Sequence, residues 1–156
     1  STSFDSVKEA DDSGYICGGT VKRSSISTRD VYIIKTDING KEQWSRLIDN
    51  GADDFNGLVV LTGDGGYAVG ATCMSLTGSI YRFTLIKLSS TGDIEWQKEY
   101  DAGNGDDVFL RSVVQTYDGG YSLCGIKTSI SGKRQAFIIK TDRDGDMPLR
   151  QESAEK

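Results

Sequence analysis

Three tyrosines, Tyr15, Tyr67 and Tyr121, stand 52 and 54 residues apart, each behind a turn-forming stretch: DDSGY, GDGGY and YDGGY. Other residues fall into step with them. Lys35, Lys87 and Lys140 follow their tyrosines by 20, 20 and 19 positions, and Gly40, Gly92 and Gly145 by 25, 25 and 24. Val7, Val59 and Val113 each lie eight residues ahead. Trp44 and Trp96 come four residues after the glycine, where the third copy has Leu149. A self-similar period of this length is the signature of a repeat architecture, in which one supersecondary unit recurs. The 156 residues therefore divide into one repeat domain of three units, approximately 1–54, 55–108 and 109–156, with no linker between them.

Each unit reads as four short strands. The first (SVKEA, LVVLT or SVVQT) closes at a turn holding Asp12, Asp64 or Asp118, and the second starts at the tyrosine. Glycine supplies the positive φ such a hairpin needs, and the aspartate side chain caps the turn's amides. The third strand (DVYIIKTD, RFTLIKLS, QAFIIKTD) is rich in β-branched and aromatic residues and apolar on both faces. The turns DING, STGD and DRDG lead to the fourth strand, which carries the tryptophan in KEQWSRLI and DIEWQKEY. No segment sustains a helical period, and a single proline suits sheets with few interruptions.

The chain is long enough for one domain with a core of its own. A net charge of −5 with no Lys/Arg run gives nothing to release counterions from phosphates, so no nucleic-acid partner is expected. No apolar stretch nears the roughly 18 residues of a membrane span, so no membrane insertion is expected. Histidine is absent, which removes Ser-His, Cys-His and His-ligated metal chemistry. Cys17, Cys73 and Cys124 share no register and form no CxxC pair; small thiols within strands is the reading.

Four antiparallel strands repeated at this length fit a β-propeller blade. The Gly-x-x-x-Trp pairs in KTDINGKEQW and KLSSTGDIEW resemble, in part, the tryptophan-docking motif of quinoprotein-type propellers. The whole unit, as in DGGYSLCG, DVYIIKTDINGKEQW and GDDVFLRSVVQTYDGGY, resembles the tandem repeats of bacterial and archaeal secreted or surface-bound propeller-like proteins. That resemblance implies an extracellular or cell-surface scaffold or binding module; the fold by itself confers no function. Three blades alone would leave two apolar faces in water. Two chains could close a six-bladed ring as a homodimer, the chain could be part of a longer array, or the units could close alone as a β-trefoil or prism.

The candidate chemistry is of three kinds. Asp37 and Asn39, and Asp142, Asp144 and Asp146, place oxygens two apart ahead of a glycine, as at the start of a calcium loop, although hairpin turns favour the same residues unaided. The pairs Asp53-Asp54 and Asp106-Asp107 recur between units, which points to loop capping rather than to a glycosidase's two carboxylates. Tyr15, Tyr67, Tyr121, Trp44 and Trp96 could stack on sugars, as in lectin propellers, or pack between units. Lys35, Lys87 and Lys140 read as solvated charges guarding a strand edge. Together these features predict a non-enzymatic binding or scaffold module for a glycan or protein, with a purely structural array or self-assembly segment as the alternative and a glycoside hydrolase-type enzyme as the third, least favoured reading. No organic cofactor is expected.

Overall fold

The computed structural model describes residues 1–22, 28–75 and 80–147. It is all-β, with eleven antiparallel strands in three sheets. The first unit holds β1 (Thr2–Glu9), β2 (Tyr15–Lys22), β3 (Arg29–Thr36) and β4 (Glu42–Ile48). The second holds β5 (Asp54–Leu61), β6 (Tyr67–Met74), β7 (Tyr81–Leu88) and β8 (Ile94–Tyr100). The third holds β9 (Asp107–Gln115), β10 (Tyr121–Thr128) and β11 (Arg134–Thr141). Each sheet is a meander in chain order, and every ladder among the described residues lies within one unit. The position of Leu149, with any fourth strand there, lies outside the described residues.

The turns behave as their residues require. Asp12, Asp64 and Asp118 each accept the amide of the residue two further on, Gly14, Gly66 and Gly120. A Cβ on any of these glycines would fall within 2.5 Å of a third-strand carbonyl oxygen, so only glycine admits the close approach.

The sheets stack face to face in chain order. In the first core, Ile16, Val31 and Ile33 of unit 1 meet Val59, Tyr67, Val69 and Ile86 of unit 2. In the second, Ala68, Phe83 and Leu85, on the opposite face of unit 2, meet Val113, Tyr121, Leu123 and Ile139 of unit 3. Ala68, Phe83 and Leu85 stand at the repeat positions of Ile16, Val31 and Ile33, so both junctions use the same pair of faces. The stack is head to tail. Unit 2 is covered on both sides, which is why β6 and β7 are buried along nearly their whole length.

Candidate functional site

The junctions between units concentrate the polar chemistry. Lys35 and Lys87 are not solvated edge charges: they are 2% and 4% exposed. The expectation fails because the third strand lies inside its sheet, between the second and the fourth. Each ammonium is turned toward the first hairpin. Lys35 Nζ donates to Asp12 (2.7 Å), to the Thr36 carbonyl (2.9 Å) and to Gln43 (2.8 Å). Lys87 Nζ pairs with Asp64 (3.0 Å) and Glu95 (3.1 Å) and donates to the Leu88 carbonyl. Lys140 repeats the contact with Asp118 at 2.8 Å, half exposed. These contacts hold the turn carboxylates ionised. Asp64 is drawn down to about 2, chiefly by the Thr62 hydroxyl and then by Lys87, and the Lys140 ammonium holds Asp118 lower still.

The tryptophans cross the junctions. Trp44 of unit 1 lies on Gly92 of unit 2, where a Cβ would come within 2.7 Å of the indole, and its ring meets Tyr67 at 5.8 Å. Trp96 repeats both contacts one unit on, with Gly145 and with Tyr121, again at 5.8 Å. Ion pairs flank them: Arg46 with Asp93 at 2.9 Å, and Lys98 with Asp146. Of the five aromatics singled out from the sequence, the structure thus brings four together in two pairs. Tyr15 stands apart from both tryptophans, on the uncovered face of unit 1.

A cleft of about 660 Å³ opens where units 2 and 3 meet. Trp96 and Tyr121 line it, Tyr117 stands fully exposed at it, and four carboxylates (Asp64, Glu95, Asp118, Asp144) face two cations, Lys87 and Arg143. Gln115 staples its two walls, accepting the Gly63 amide at 2.8 Å and donating to the Gly119 carbonyl. Burial pushes the Tyr121 hydroxyl up to about 12, so it stays protonated. A smaller cleft of about 320 Å³ lies at the equivalent place between units 1 and 2, lined by Asp12, Lys35, Gln43 and Tyr67.

The remaining candidates lie elsewhere. Asp37 accepts the amides of Asn39 and Lys41, and Asp142 those of Asp144 and Asp146, so both stretches are capped turns. Among the described residues, no group of three or more acidic, cysteine or histidine side chains is placed to hold a metal ion. Asp53 and Asp107 cap the first amide of the preceding unit's third strand, from Arg29 and Tyr81, each at 2.9 Å. Asp106 pairs with Lys127. Cys17, Cys73 and Cys124 are free thiols within β2, β6 and β10.

Sequence reasoning missed Tyr117, Arg143, Glu95 and Gln115, which converge from β8, from the β9–β10 hairpin and from the turn after β11. It also missed the lysine–aspartate pairs, although their signal was present: Asp12 to Lys35, Asp64 to Lys87 and Asp118 to Lys140 span 23, 23 and 22 residues. No protein-family model matches the chain, and none of the curated proteins matches it.

Proposed function

We propose that the chain is a non-enzymatic recognition module, built from propeller-type blades, that holds a neutral glycan in the clefts at its unit junctions. The cleft between units 2 and 3 carries this reading. Its exposed Tyr117 ring offers an apolar face for a sugar ring, with Trp96 in the lining, beside polar groups that fix orientation. Ionised carboxylates accept hydrogen bonds from hydroxyls, and their excess over cations disfavours an anionic ligand. The blade assignment is supported by pairing confined to each unit and by tryptophans that dock on the next unit's glycine. A trefoil would instead pair strands of different units into a shared barrel. Placement outside the cell or at its surface follows the resemblance of the DGGY…IKTD…G…W unit to secreted and surface-bound repeats.

Two clefts at corresponding junctions allow avidity for a repeating polysaccharide, the larger as the main site, since Gly63 stands at the repeat position of Tyr117 at the other junction. The test is calorimetric titration with neutral and uronic-acid oligosaccharides. Neutral chains are expected to bind, and Tyr117→Ala to weaken them about tenfold, the loss of roughly 1.4 kcal/mol of stacking, without altering the melting curve. Failure of all neutral glycans to bind, or equal binding by the variant, contradicts the reading. The uncovered apolar faces of units 1 and 3 favour a second reading, a self-assembling structural segment.

A further inference from the structure

The head-to-tail stack leaves two faces of the kind it buries internally. The upstream face of unit 1 presents Val7, Tyr15, Cys17 and Ile34. Val7 is 59% exposed, whereas its counterparts Val59 and Val113 are 1% and 6% exposed within the cores. The downstream face of unit 3 presents Val114, Cys124, Ala136 and Ile138. Ile138 is 70% exposed, whereas Ile33 and Leu85, at the same position in units 1 and 2, are fully buried.

We propose that these two faces dock on one another between two copies of the chain, head to tail at both ends, closing a dimer through a two-fold axis. The inference rests on the blade reading of the units. A second copy is the occupant because it supplies both faces at once, each meeting the kind of surface its counterparts meet inside the chain. Such a contact either closes or propagates, and two copies with both junctions made have no apolar end left.

The side chains fit this pairing. Across the second junction Phe83 packs on Phe137 at 5.6 Å, large on large. At the same repeat positions the end faces offer Ala136 and Tyr32, small against large. Gly40 has open space where Gly92 and Gly145 carry a tryptophan, and half-exposed Tyr15 stands where Tyr67 and Tyr121 flank one. The end junction also departs from the internal ones. Cys124 occupies the position of Gly18 and Gly70, where an added Cβ would meet the neighbouring unit at 2.3 and 2.7 Å. The end faces therefore sit farther apart than the internal ones, and the dimer is reversible.

The native thiols report on both faces. Cys17 lies on the upstream face, Cys124 on the downstream face and Cys73 is buried. Thiol labelling with peptide mapping is run alongside sedimentation over a range of chain concentrations. The expected mass rises from 17.0 kDa to twice that value, with Cys17 and Cys124 losing reactivity together and Cys73 unreactive throughout. Ile138→Asp and Val7→Asp, both at exposed positions, should each hold the chain monomeric. Mixing the two variants should restore pairs, since each keeps the face the other has lost. A wild-type monomer at every concentration, open-ended growth, protection of Cys17 without Cys124, or variants that do not complement each other would overturn the proposal. Glycan titration of the wild-type chain separates the claims: neutral glycan bound by a chain that stays monomeric at every concentration sinks this inference alone, and a dimer that binds none sinks the glycan reading alone.

Discussion

Asp54 has no exposure to water, and its surroundings hold it protonated further up the pH scale than an ordinary aspartate. Burial pushes its carboxyl up to about 6; the Asn50 amide pulls the other way, and the charges of Asp30 and Asp49 add to the rise. One oxygen accepts that amide at 3.2 Å, and the other has no stronger partner than the Cys73 thiol. The folded chain thus keeps a proton that the unfolded chain releases near pH 4. Stability should fall by up to about 3 kcal/mol as pH rises from 4 to 6, and the penalty persists above that window. The carboxylates held low, Asp64 and Asp118 among them, act in the opposite sense and only below pH 4. Asp54→Asn should flatten the profile between pH 4 and 6 and raise stability at pH 7 by roughly 2 kcal/mol. Urea unfolding at stepped pH checks this, and a wild-type stability that climbs across the window contradicts it. The sequence hid the residue by making Asp53-Asp54 look like the partner of Asp106-Asp107. In space Asp53 matches Asp107, and the buried Asp54 stands where unit 3 has Val108.

At the level of strands and turns, most of the architecture was legible. β-Branched third strands, tyrosine-led second strands and Asp/Gly turns each have a local cause, and the strands lie within a few residues of where those causes place them. Burial of the lysines was not legible, because the order of strands in a sheet is not written in any one strand. The tryptophan contact can be isolated by comparing two glycines. Gly40 and Gly92 have nearly the same backbone, φ +81° and +82°, but only Gly92 carries an indole. Gly40→Ala should cost about 1–2 kcal/mol, the strain of a left-handed non-glycine residue. Gly92→Ala should cost about 1–3 kcal/mol more, because the indole must be displaced. Equal losses in denaturant unfolding would mean that Trp44 contributes nothing to the junction.

For the whole molecule, the repeat and its three units were visible in the spacing alone, whereas apolar end faces followed only from reading the units as blades. The cleft between units 2 and 3 was not: Glu95 comes from β8, Gln115 and Tyr117 from the β9–β10 hairpin and Arg143 from the turn after β11, and they meet only once the sheets stack. Head-to-tail stacking is the claim on which the clefts, the tryptophan docking and the open faces all depend. Among the described residues, it makes unit 2 the one sheet covered on both sides by the chain itself. Local opening is costliest where burial is most complete. The most direct measurement is amide hydrogen exchange, resolved by strand, in a dilute solution of Ile138→Asp, where self-association is not expected. Slowest exchange in β6 and β7, with β2, β3, β10 and β11 faster, is the predicted result. Equal protection of the three units, or slowest exchange in an outer one, would contradict the stack.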